Sequence, residues 1–101
     1  MSAGAGYVVV DVWRAKPGKQ DEVDAVLADA GVQFRNVPGI LSVDYARLDG
    51  ADDMYLVVFR YENKAARETF SETDHLKSTM ATLRQIWDLE SPIYRGESTG
   101  F

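Results

Sequence analysis

Apolar and polar positions change period along this chain, and each change marks an element. Tyr7 to Arg14 is rich in valine and aromatic residues and predicts a strand. Lys16-Pro17-Gly18 ends it. From about Lys19 to Arg35, Val23, Val26, Leu27, Ala30 and Phe34 recur every three or four positions, the stripe of an amphipathic helix. Asp21 and Glu22 in its first turn suit the positive end of the helix dipole. Asn36-Val37-Pro38-Gly39 stops the helix, and Ile40 to Leu48 predicts a second strand. Asp49 to Asp53 carries turn residues, and Met54 to Tyr61 predicts a third strand joined to the second as an antiparallel hairpin. Asn63 is placed to cap a short helix with Ala66 and Phe70 on its inner face. After a break near Ser71 to Thr73, Thr73 or Asp74 caps a longer helix bearing Leu76, Met80, Leu83 and Trp87. Ser91 to Glu97 is the last strand, and Pro92 near its start suits a sheet edge.

The order is β-α-β-β-α-β, the split βαβ pattern of ferredoxin-like α+β folds with an antiparallel sheet. The first and third strands are expected at the centre, and right-handed crossovers put the helices on one face. Strand alternation places Tyr7, Val9, Asp11, Trp13, Tyr55, Val57, Phe59 and Tyr61 on one side. Val8, Val10, Val12, Leu56 and Val58 fall on the other. Both faces are apolar, yet helices can cover only one. The aliphatic face exceeds what a soluble monomer usually exposes, so a second copy is expected to cover it as a homodimer. The same fold reads RNA when aromatic and basic residues occupy the open face, and aliphatic residues there do not suit that use.

A chain of 101 residues accommodates one domain. We expect a tail over 1–6, the domain over 7–98 and a second tail over 99–101. The formal net charge of −5 opposes binding to nucleic acid and to anionic membranes. Asp11 interrupts the only apolar run near the N-terminus, so that run predicts neither a signal peptide nor a membrane span. No cysteine and one histidine exclude disulfides and thiolate metal sites, and no carboxylates are grouped as a metal loop. A cytoplasmic location is the plain expectation. Phosphate loops, dinucleotide glycine motifs and a nucleophile elbow are all missing from the sequence.

Lys16-Pro17-Gly18-Lys19, Val37-Pro38-Gly39-Ile40-Leu41-Ser42, the run Phe59 to Ala66, and Asp74-His75-Leu76 occur in register with these elements. In this the chain resembles the antibiotic biosynthesis monooxygenase family, within the dimeric α+β barrel superfamily, from about Tyr7 to Ser98. The resemblance implies two sheets forming a shared barrel, helices outside, and a small-molecule cavity between sheet and helices. Asp11, Trp13, Phe59 and Tyr61 would face that cavity, with His75 and Trp87 approaching from the helices. It further implies a monooxygenase that needs no cofactor and acts on a small phenolic or quinol-like aromatic. The family also holds haem-degrading enzymes, isomerases and members without known activity, so a binding or stress-response dimer and a small-metabolite isomerase are alternatives. Haem-degrading members carry Asn where this chain has Asp11, Trp where it has Tyr61, and an iron-binding His near Met80, which argues against haem. Quinone-forming members carry Asn and Trp where Val57 and Tyr61 stand, so their chemistry does not transfer by residue.

Two residues are candidate proton acceptors. His75 matches a position that is often His in the family and sits at a helix start, where it either takes a substrate proton or is simply exposed. Asp11 is a carboxylate in an apolar strand, and needs a polar cavity, a partner, water or an arginine such as Arg60, Arg67 or Arg95. Trp13, Phe59, Tyr61, Phe70 and Trp87 either line the cavity or are ordinary core aromatics. Arg67 either faces the cavity or lies on a solvated helix surface.

Overall fold

Eight elements appear in a computed structural model, which describes residues 6–99. The expected tails lie outside the described residues except for Gly6 and Thr99. The strands are β1 (Tyr7–Ala15), β2 (Ile40–Leu48), β3 (Ala51–Tyr61), β4 (Trp87–Leu89) and β5 (Tyr94–Glu97). The helices are α1 (Gln20–Phe34), α2 (Lys64–Ser71) and α3 (Asp74–Leu83).

The sheet runs β2-β3-β1-β4, with β5 also pairing with β1. Every pairing is antiparallel, and β1 and β3 are central as expected. Asp11 lies opposite Val57, Val9 opposite Phe59 and Trp13 opposite Tyr55, so one face of the two central strands is aromatic and apolar. On this face α1 contributes Val23, Leu27, Ala30 and Phe34, all buried. Asn63 Oδ1 accepts a hydrogen bond from Ala66 N at 2.8 Å and caps α2. Thr73, not Asp74, caps α3: its Oγ1 accepts from Leu76 N at 3.3 Å.

Three expectations change. The hairpin turn is tighter than Asp49 to Asp53: Leu48 pairs with Ala51, and Gly50 takes a φ of +77° that lets the chain reverse there. The third strand therefore begins at Ala51 instead of Met54. Trp87 leaves the helix on which the three-or-four spacing placed it. α3 ends at Leu83, and Lys16 N donates to Ile86 O at 2.8 Å, which draws the chain onto the β1 edge as β4. Trp87 then lies opposite Ala15. The last strand is shortened to Tyr94–Glu97, because Ser91 and Pro92 turn the chain between β4 and β5.

Val8, Val10, Val12, Leu56 and Val58 lie on the sheet face turned away from the helical core and are half-buried. No helix among the described residues is long and apolar enough to cross a membrane.

Candidate functional site

Two buried clusters fill the space between sheet and helices. One holds Trp13, Leu27, Tyr55, Val57, Leu83 and Trp87. The other holds Val9, Phe34, Ile40, Val43, Tyr61 and Phe70. Tyr45 and Phe59 pack against both. A cavity of about 250 Å³ is bordered by the two clusters together. Phe34 meets Phe70 edge-on at 5.0 Å, Phe59 lies parallel to Tyr61 at 6.0 Å, and Trp13 stacks on Trp87 at 4.7 Å.

Asp11, Trp13, Phe59, Tyr61, Arg67, Phe70 and Trp87 all line this cavity. His75 does not. It is exposed at the start of α3, its ring edge-on to Phe34 at 5.0 Å, so one aromatic ring stands between it and the cavity. The chain's one histidine being outside, the cavity offers no imidazole to a haem iron. Among the described residues, no three His, Asp or Glu side chains gather as a metal site.

Asp11 is the one acidic residue lining the cavity. Its Oδ1 accepts a hydrogen bond from Trp13 Nε1 at 2.6 Å. Burial raises the pKa of its carboxyl above the usual range; the Trp13 hydrogen bond and the charge of Arg67 oppose that rise without cancelling it. Burial also raises Tyr45, to about 12, and lifts Tyr61 further still, in both cases with help from the charge of Asp11. Both phenols therefore keep their protons near neutrality and serve as hydrogen-bond donors. A carboxylate with raised basicity, two phenolic donors and a guanidinium set among aromatic rings can bind a planar molecule, take a proton from it and steady the resulting anion. Trp87 Nε1 is buried and has no acceptor among the described residues.

Sequence reasoning missed Tyr45 as a wall residue. The signal was in the strand alternation: Val43, Tyr45 and Arg47 share a face of β2, and Tyr45 lies opposite Val57. Met80, Arg84 and Ile93 also line the cavity; Ile93 comes from the link between β4 and β5, which has no periodic pattern.

The sequence profile of the family described as "Antibiotic biosynthesis monooxygenase" matches residues 6–82. The chain belongs to that family. No curated protein matches it by sequence. Solved structures of the antibiotic biosynthesis monooxygenase type share its fold at low identity. A protein of Deinococcus radiodurans named for the family has a TM-score of 0.84 at 14% identity, covering 94% of each chain. One of Chloroflexus aurantiacus, also named for the family, has a TM-score of 0.80 at 18% identity, covering 95% of each chain. SnoaB of Streptomyces nogalater, described as a cofactor-independent oxygenase, has a TM-score of 0.79 at 18% identity, covering 96% of this chain and 94% of its own.

Proposed function

We propose that this antibiotic biosynthesis monooxygenase relative is a cofactor-independent oxygenase of small phenolic or quinol-like aromatics, with Asp11 as the base. The observation that carries this reading is a lone carboxylate of raised basicity inside an aromatic cavity. His75, the other candidate base, is exposed and outside the lining. The stacked Trp13–Trp87 pair would abut the planar substrate, with Phe59, Tyr61 and Phe70 along its edges.

The reaction balances without an added reductant. Asp11 takes a proton from the activated CH₂ or hydroxyl group, giving an electron-rich anion. The anion passes an electron to dioxygen, and the two radicals combine at carbon to form a C–O bond. The peroxide so formed takes up a proton, and its O–O bond then breaks as a second hydrogen leaves the same carbon. A carbonyl and one water result: the substrate carbon is oxidised and dioxygen reduced. Tyr61 and Arg67 would stabilise negative charge during these steps, and the apolar wall would keep bulk water from the anion.

The active unit in this reading is a homodimer in the cytoplasm. Support for the dimer comes from the five aliphatic side chains turned away from the helices, which two sheets facing each other would cover. An oxygen electrode with anthrones and dihydroquinones tests the chemistry. Asp11→Asn should lower turnover by about 10²–10⁴-fold, the span of a general base, while His75→Ala should leave it within a small factor. Equal rates in wild type and Asp11→Asn reject the assignment. Sedimentation of a single-chain species at all concentrations rejects the dimer.

A further inference from the structure

Asp11 and Trp13 stand two positions apart on β1, so both side chains leave the same face of the strand. The indole lies back along the strand, and its Nε1 donates to Asp11 Oδ1 at 2.6 Å. That is short for an N–H donor, as expected when the acceptor is an ionised carboxylate. The indole has little freedom to leave. It is 8% exposed, and it stacks on Trp87 at 4.7 Å with the planes 16° apart. β4 holds Trp87 there, opposite Ala15, beside the bond from Lys16 N to Ile86 O.

A free carboxylate is symmetrical, and its two oxygens exchange by a turn about a soft torsion. In this site the symmetry is broken. Oδ1 is engaged by the indole, while Oδ2 accepts no hydrogen bond from the described residues, and Asp11 itself borders the cavity. We propose that Trp13 is the positioning residue of the base: its indole N–H fixes one oxygen of Asp11 and leaves the other as the single proton acceptor toward substrate. The inference deepens the oxygenase reading above and rests on it for the role of Asp11 as base.

A proton received from substrate goes to Oδ2. Oδ1 becomes the carbonyl oxygen and keeps the indole bond, so the carboxyl holds its place through the transfer. The indole also works against burial: burial favours the neutral carboxyl, and the N–H favours the anion. The other groups facing Asp11 are Tyr45 from β2, Tyr61 from β3 and Arg67 from α2, and Arg84 after α3 borders the same cavity. The two buried phenols stay neutral, and guanidinium groups stay charged, over the range in which a carboxyl titrates. The Asp11–Trp13 pair is therefore the part of this cavity that changes state there.

Nitrogen–proton NMR of the indoles tests this on the wild-type protein. Of the two indole N–H groups, that of Trp13 has an acceptor and that of Trp87 has none among the described residues. The Trp13 signal should lie downfield and move upfield as acid protonates Asp11, with the same midpoint as the Asp11 carboxyl carbon. The movement should vanish in Asp11→Asn and survive His75→Ala. Trp13→Phe keeps a ring on Trp87 and removes the N–H. It should carry the Asp11 carboxyl midpoint to higher pH, and the acid limb of kcat/KM with it, so that kcat/KM falls about tenfold at a fixed pH on that limb. A role in packing alone would lower the melting midpoint and leave both titrations in place. Indole signals that stay flat through the Asp11 titration overturn the proposal, whether or not Trp13→Phe folds. So does a carboxyl midpoint that is unmoved or lowered in Trp13→Phe. Wild type that consumes no oxygen with anthrones or dihydroquinones, while its Trp13 signal follows Asp11, rejects the oxygenase reading and upholds the indole as the group that orients the carboxyl. Turnover with flat indole signals overturns this inference alone.

Discussion

Phe70→Ala tests how the cavity wall is held together. Phe70 is 3% exposed and is the one buried residue of α2, a helix otherwise made of polar and small side chains. Its ring meets Phe34 at 5.0 Å, Phe59 at 6.0 Å and Tyr61 at 6.2 Å. Removing a buried phenylalanine ring typically costs about 3–5 kcal/mol, and cannot be recovered by collapse where the vacated space opens onto an existing cavity. The backbone contacts at this point survive, because Thr73 N and Oγ1 both donate to the carbonyl of Phe70 and not to its ring. The loss therefore falls on the docking of α2. For a domain of 101 residues the melting midpoint should drop by about 12–40 °C, at about 4–8 °C per kcal/mol. Urea unfolding gives the free energy, and amide hydrogen exchange gives its location: α2 should lose protection before β1 and β3 do. A loss under about 1 kcal/mol, with α2 protection unchanged, would refute the claim that this ring anchors the helix.

The other expectations concern charge and backbone. Burial raises the pKa of Asp11 in the folded state above its unfolded value. Between those two values the folded chain holds a proton that the unfolded chain has released, so stability falls as pH rises through that window and stays reduced above it. Asp11→Asn should flatten this part of the stability curve and melt higher than wild type at pH 7; parallel curves for the two proteins across the acid range would count against the buried carboxylate. Gly39 has a φ of +91°, and a Cβ there would come within 2.8 Å of Ala66 Cβ. Gly39→Ala should cost about 2–4 kcal/mol from left-handed strain and overpacking together, read by urea unfolding, and a neutral result would mean that α2 does not press against the start of β2.

Most of the fold is legible in single elements, and the exceptions have physical causes. The valine-rich β1 and the stripe of α1 declare themselves because each buries one face along its whole length. β4 does not, because three residues cannot display a period, and Trp87 happens to continue the spacing of α3. Its place is fixed by Lys16 N and Ile86 O, a contact between segments seventy residues apart. The residue still reaches the expected cavity, because from its strand position opposite Ala15 the ring stacks on Trp13. The aromatic lining and Asp11 were readable from strand alternation. The position of His75 was not, because whether a helix-start side chain turns inward depends on how Phe34, from another helix, fills the space beside it.

The stacked pair Trp13 and Trp87, 4.7 Å apart and tilted by 16°, comprises every tryptophan of the chain. Their excited states are close enough to couple, so the tryptophan emission and any tryptophan exciton band in the circular dichroism arise from this one pair. Anything that wedges between or beside these indoles must alter that signal. The molecule thus carries its own optical gauge of occupancy, needing no label, in the wall where chemistry is expected.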